Sequence, residues 1–333
     1  MALRWGIVGV GQISHDFCTA LSAPGFENDQ IKHSVIAVGS RNLDRSKEFA
    51  QRHNIKNYYG TYDEVAQNSD VEIVYVANLN NLHIETCLKM LQYGKHILCE
   101  KPLCMNYQEA YKVIKMAEKK NLFIMEGVWS RFFPVYEYLR NLLKNDKDLS
   151  VKEVFIKHGF KGDNVDRVSK KDLGGGIILD IGVYAIQCAL MIFGNISPRS
   201  IIVKNSKINS DGVDMFVEFD LKFDETKVAH IICSGLEQLE NKAVIVTNKG
   251  VITIPTYWCP TEIINYDNDV KKFPIPELVE GNYVHFINSL GLRYEADAVY
   301  NCIRSGKLSS DIIPPKDSLL IAQIQDEIRK QIN

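Results

Sequence analysis

The stretch Leu3-Arg-Trp-Gly-Ile-Val8-Gly9-Val-Gly11-Gln-Ile-Ser14 decides the fold. Six mostly apolar residues read as a buried strand, and the glycines that follow open a helix. In that context a glycine turn brings backbone N–H groups up to a pyrophosphate at the helix N-terminus. Gly9, Gly11, Gln12 and Ile13 are therefore expected cofactor contacts. Ser14 stands where the motif more often has Gly or Ala, and it is still small enough for close packing of helix on strand.

Working outward, further short apolar runs at Val35–Gly39, Glu72–Val76, Ile97–Glu100 and Leu122–Met125 alternate with helical spacings such as Asp16–Leu21 and Leu43–His53. This is the texture of a parallel sheet buried on both faces, so residues 1–126 are predicted to form a Rossmann domain. Beyond about residue 150 the pattern changes to strict alternation. In Val213–Phe223 the residues Val213, Met215, Val217, Phe219, Leu221 and Phe223 share one face, and Asp214, Glu218, Asp220 and Lys222 the other. Strands are also predicted at Val151–Phe160, Ile201–Lys204, Val228–Ser234, Ala243–Thr247 and Val251–Ile254, and helices at Tyr294–Ile303 and Asp317–Ile332. Residues 127–333 thus read as an α+β domain with an open-faced, mostly antiparallel sheet, whose last helices can pack back on the first domain.

The chain of 333 residues carries 39 Lys and Arg against 41 Asp and Glu, a net charge of −2. Its length suits two domains, and its charge offers no net attraction for a nucleic-acid backbone. No leader-like N-terminus is evident, and no apolar run is expected to span a bilayer, so a cytoplasmic protein without membrane partners is expected. The eight cysteines form no C-x-x-C pair and sit mostly in apolar runs, as buried reduced thiols do. The eight histidines are scattered along the chain, and no metal is expected.

Where an NAD site places a carboxylate at the end of the second strand, this chain has Ser40-Arg41-Asn42-Leu43-Asp44-Arg45. A ribose 2′-phosphate suits the guanidinium fork of Arg41, with Ser40 donating a hydroxyl and Arg45 adding charge, so NADP is the expected cofactor. Glu100-Lys101-Pro102 ends a predicted parallel strand, where open α/β sheets gather ligands; the proline allows a cis bond. In Gly174-Gly-Gly176-Ile-Ile-Leu-Asp180-Ile-Gly-Val-Tyr184, Asp180 and Tyr184 lie four apart and share a helical face.

Together these motifs resemble the glucose-fructose oxidoreductase/inositol dehydrogenase/MocA family over essentially the whole chain. Tyr184 in place of the commoner histidine points to the tyrosine-bearing branch, whose dimeric members oxidise trans-dihydrodiols and D-xylose with NADP. The resemblance implies hydride transfer between a carbinol and the nicotinamide, with Tyr184 as acid/base, Lys101 as its cationic partner and Asp180 orienting the substrate or Lys101. It further implies Glu100 and Lys101 among the cofactor contacts, His83, Trp129 and Trp258 in the substrate wall, and a homodimer through the C-terminal sheet. Ala77-Asn-Leu-Asn-Asn-Leu82 departs from the proline-containing loop common in the family. Another sugar or anhydrosugar reductase of the family and a non-catalytic NADP(H)-binding regulator stay open as alternatives.

Overall fold

A computed structural model describes residues 1–26 and 31–332, which divide into two units. The first comprises Met1–Cys104, Gln108–Trp129 and Ile275–Ser318; the second comprises Met105–Tyr107, Ser130–Pro274 and the chain from Leu319 on. The segment 275–318, assigned above to the second domain, thus belongs to the first unit.

The first unit is built on six strands, β1 (Leu3–Val8), β2 (His33–Gly39), β3 (Asn57–Tyr59), β4 (Ile73–Val76), β5 (His96–Glu100) and β6 (Ile124–Gly127). All pairs are parallel, in the order β3-β2-β1-β4-β5-β6. Every residue of β4 is buried, as a sheet covered on both faces requires. The connecting helices are α1 (Gln12–Ser22), α2 (Leu43–Arg52), α3 (Tyr62–Gln67), α4 (His83–Gln92) and α5 (Tyr107–Lys120). Strand order reverses at β1 and β4, so the loops after these two strands flank the crevice where such sheets take ligands. The three-residue β3 and the one-and-a-half-turn α3 were not foreseen, being too short to show a period. A Thr61–Glu64 capping box starts α3 locally.

The second unit contains α6 (Pro134–Asn145), β7 (Val151–Gly159), α7 (Asp166–Ser169) and α8 (Val183–Ile192). Seven more strands follow: β8 (Ser200–Ile208), β9 (Asp214–Lys222), β10 (Val228–Ser234), β11 (Ala243–Thr247), β12 (Gly250–Ile254), β13 (Glu262–Ile264) and β14 (Val270–Lys272). They form one eight-stranded sheet, β14-β13-β12-β11-β7-β10-β9-β8, antiparallel except where β7 meets β10. Val154 and Ile156 of β7 and Ala229 and Ile231 of β10 are buried, and the wholly buried α8 packs on β7.

Phe155 and Val251 are exposed at alternate positions. Asp220, expected on the solvated face, is instead buried because the Lys204 ammonium (2.7 Å) and His230 Nδ1 (2.8 Å) close over it. Contrary to expectation, one helical stretch among the described residues, Lys171–Ile192, is long and apolar enough to cross a bilayer, but 94% of its 18-residue apolar window is buried in the protein. It serves as the core helix under the sheet. After that sheet the chain returns to the first unit through α9 (Leu292–Arg304), and α10 (Pro315–Ile332) follows.

Candidate active site

In the first unit, the loop after β1 is shaped by close approach. Gly9 has φ +96°, and a Cβ there would lie 2.5 Å from the Ala77 carbonyl oxygen at the end of β4, so glycine alone fits. Gly11 differs. It caps α1 in an extended conformation, and a Cβ on it would meet nothing within 4 Å. The space over the helix start is therefore open, the first amides of α1 have no carbonyl partner within the helix, and its first turn has no acidic side chain. The side-chain oxygen of Ser14 is buried without a hydrogen-bond partner. These features fit a dinucleotide pyrophosphate.

Arg41 and Arg45 are exposed at the start of α2, where Asn42 Oδ1 accepts the Arg45 N–H as N-cap. Ser40 is engaged within the turn. Its hydroxyl donates to the Asn42 carbonyl (2.7 Å) and accepts from Ser46 Oγ (2.9 Å) and the Asn42 N–H (3.2 Å), so the helix-entry turn uses it internally.

The Lys101–Pro102 peptide is cis. Glu100, expected beside the cofactor, faces inward: the Tyr75 hydroxyl donates to its Oε1 at 2.5 Å, and the Lys101 N–H lies 3.3 Å from its Oε2. His83 is held by backbone groups. It is fully buried, with Nδ1 2.8 Å from the Pro102 carbonyl and Nε2 3.2 Å from the Asn78 carbonyl. Burial lowers its pKa, and a neutral imidazole has a single N–H, which serves the shorter contact. His83 thus braces the turn that carries Lys101.

Trp129 is almost fully buried in a single 3₁₀ turn, Trp129–Phe132. Sequence reasoning missed Glu295 of α9. Both its carboxylate oxygens are buried without a hydrogen-bond partner; burial first, and the charge of Glu100 second, push its pKa well above the carboxylate range.

In the second unit, the glycine-rich segment enters α8 through a π-helical turn, Ile178–Gly182, a widened geometry that often marks functional sites. Asp180 sits in that turn with Arg167 Nη1 2.9 Å from its Oδ1. The Ile178 N–H donates to Asp214 Oδ2 (2.8 Å), tying the turn to β9. Tyr184, in the first turn of α8, is buried beside two aromatic rings, with centroids 5.9 Å from His158 and 6.1 Å from Trp258. His158 and Trp258 stack at 5.9 Å. His158 Nδ1 lies 3.0 Å from the Tyr257 hydroxyl, which burial keeps protonated and hence able to donate. The Ser130 hydroxyl donates to the Trp258 carbonyl at 2.5 Å.

A phenol, a salt-bridged carboxylate and an indole face suit a polyhydroxylated ring. Sequence reasoning missed Arg167 and His158. The signal for His158 was available: it extends the buried series Val154, Ile156 on β7, where a polar residue calls for a partner.

Comparison with known proteins agrees with these geometries. A family model described as an oxidoreductase family with NAD-binding Rossmann fold matches residues 3–128, and the GFO/IDH/MocA C-terminal domain matches residues 138–253. The chain is 39% identical to trans-1,2-dihydrobenzene-1,2-diol dehydrogenase of Xenopus tropicalis, covering 100% of this chain and 98% of that protein. The human protein of the same name is 37% identical, covering 100% and 97%. Among solved structures, levoglucosan dehydrogenase in complex with NADH and levoglucosan superposes with a TM-score of 0.84 at 19% identity, over 100% of this chain and 97% of that one. A 3-ketoreductase from Actinomadura kijaniata, solved in complex with NADP and TDP-benzene, superposes at 0.79 and 21%, over 99% and 98%. With a glycine turn built for a dinucleotide, and family matches on both halves, the chain belongs to the GFO/IDH/MocA family of oxidoreductases with an NAD(P)-binding Rossmann fold.

Proposed function

We propose that this oxidoreductase is an NADP-dependent dehydrogenase that oxidises the carbinol of a cyclic trans-diol or an aldose such as D-xylose. The observation that carries the reading is the setting of Tyr184, buried beside His158 and Trp258 on the helix that follows the Asp180 turn. Full-length similarity to the dihydrodiol dehydrogenases supports the diol substrate. Gly9, Gly11 and the amides of Gln12 and Ile13 would hold the pyrophosphate, and Arg41 and Arg45 the 2′-phosphate.

Bound NADP⁺ supplies the hydride acceptor. Oxidation also requires the hydroxyl proton to leave, and Tyr184 Oη receives it as general base. A phenol does this well only where a positive charge favours its ionised form and the developing alkoxide, the part assigned to Lys101. Asp180, held by Arg167, orients the neighbouring hydroxyl, while Trp258 and Trp129 offer aromatic faces to the ring. Glu100 and His83 serve by holding the strand end and turn that carry Lys101. A homodimer through the open sheet face belongs to the same reading, supported by exposed Phe155 and Val251; sedimentation at micromolar concentration checks it.

The deciding experiment is initial rates with NADP⁺ and NAD⁺ against trans-dihydrodiols, D-xylose and D-glucose, followed by absorbance of the reduced nicotinamide. Turnover of a diol or D-xylose with NADP⁺ preferred is expected. A preference for NAD⁺, or no turnover of any of these substrates, overturns the reading.

A further inference from the structure

Three of the eight histidines meet in the first unit at a place that hydride transfer does not use. His15 comes from α1, His53 from the C-terminal end of α2, and His285 from the returning segment. His15 Nδ1 lies 2.9 Å from His53 Nε2, and His15 Nε2 lies 3.0 Å from the Tyr283 carbonyl oxygen. The His15 ring stacks on Tyr283 at 4.4 Å and meets His285 edge-on at 5.2 Å. Asp16 turns its carboxylate to the same segment, accepting the N–H groups of His285 (2.8 Å) and Phe286 (2.9 Å). One ligand atom from each of His15, Asp16 and His285 lies within 4.8 Å of the others. The cluster borders a cavity of about 490 Å³ lined by His15, Cys18, Arg52, His53 and Tyr283 among others.

A carbonyl only accepts, so His15 Nε2 carries hydrogen. In the neutral imidazole, the form that binds metals, Nδ1 is then a bare lone pair to which His53 Nε2 donates.

We propose that His15, Asp16 and His285 form a binding site for a divalent transition-metal ion of the zinc class, with His53 as the outer partner of His15. Two imidazoles and a carboxylate leave a fourth position for water from the cavity. Ligation exchanges the His15 contact with the Tyr283 carbonyl for a bond to the ion. The ring proton then sits on Nδ1 and donates to His53 Nε2, whose own proton moves to its Nδ1, so no net proton is released. A ligating imidazole held through its second nitrogen is the usual arrangement around a metal. Nitrogen donors select Zn²⁺, Co²⁺ or Ni²⁺ over Mg²⁺ and Ca²⁺. The exposed guanidinium of Arg52, engaged by the Tyr283 hydroxyl at 2.9 Å, opposes the cation, but solvent screens it. An ion here would clasp the returning segment to the helix that opens with the glycine turn. His285 stands some 270 positions from His15 and Asp16 in the sequence, which is why no spacing motif announced the three.

The test uses the full chain, freed of metal with a chelator and titrated with Zn²⁺ alone by calorimetry, and with Co²⁺ as spectroscopic probe. One equivalent per chain is expected, with visible cobalt bands, no thiolate charge-transfer band, and a melting midpoint raised by Zn²⁺ but not by equal Mg²⁺. His285→Ala alters an exposed side chain, so it should leave metal-free melting unchanged and weaken Zn²⁺ at least tenfold. His15→Gln should do the same to binding. Undiminished binding in both variants, a thiolate band, or no binding overturns the site.

Discussion

The two units carry their chemistry in opposite ways. The proposed cofactor site of the first is contiguous: Gly9 to Ser14 form a single turn after a single strand, and backbone groups would do the binding. The proposed substrate site of the second is assembled from side chains on β7, α7, the π-turn, α8 and the loop after β12, drawn from residues 158 to 258. Backbone recognition needs only a local conformation, so it leaves a motif. Side-chain recognition needs a whole sheet to bring its parts together.

The largest test of that contrast falls on the second unit. Tyr184→Phe keeps the ring and removes the oxygen that moves the proton, so turnover should fall about 10²- to 10⁴-fold while NADP(H) affinity changes little. Steady-state kinetics beside a fluorescence titration of NADPH separates the two quantities.

Next comes the support of the π-turn. Burial raises the pKa of Asp214 from its ordinary 3.8 to about 6, against the N–H of Ile178, which lowers it. A raised carboxyl pKa means the folded state holds the proton more tightly. Its contribution is therefore most favourable below pH 4 and is lost as pH rises through 6, by about 3 kcal/mol in all. Asp214→Asn keeps an acceptor for Ile178 and removes the charge. The variant should melt above the parent at pH 7.5, with the gap closing toward pH 4.

For the first unit, Arg41→Ala should weaken NADP(H) roughly ten- to a hundredfold and NAD(H) much less, from the loss of a charge-assisted contact of about 1.5 to 3 kcal/mol. Equal losses for both cofactors would move the 2′-phosphate elsewhere. The smallest effect on the fold is Gly11→Ala, because its Cβ enters open space in an extended conformation. Stability should change by less than about 1 kcal/mol, while the methyl group in the space over the helix start should cost about tenfold in NADP(H) affinity. Thermal melting and the same titration measure both.

The same contrast explains what the sequence made legible. β1, β10 and β11 end where their patterns predict, since two-sided burial or strict alternation marks each residue. The three-residue strands β3, β13 and β14 have no period to read. At the site, the glycine turn and the cis Lys101–Pro102 peptide were visible as local patterns. Arg167 beneath Asp180, the unpartnered Glu295 and the saturated hydroxyl of Ser40 were not, because each depends on a partner that only folding supplies or withholds. His83 is a case of the same kind: nothing in the sequence shows that both its ring nitrogens meet backbone carbonyls.

The central proposal is that Lys101 and Tyr184 serve one proton transfer. A double-mutant cycle of Tyr184→Phe and Lys101→Met, read as turnover with the best substrate, tests it most directly. Groups acting as a unit give a double variant little slower than the slower single one, with the two losses far from additive. Losses that multiply, or near-normal turnover in Tyr184→Phe from pH ~6 to ~10, where a phenol would titrate, would contradict the account.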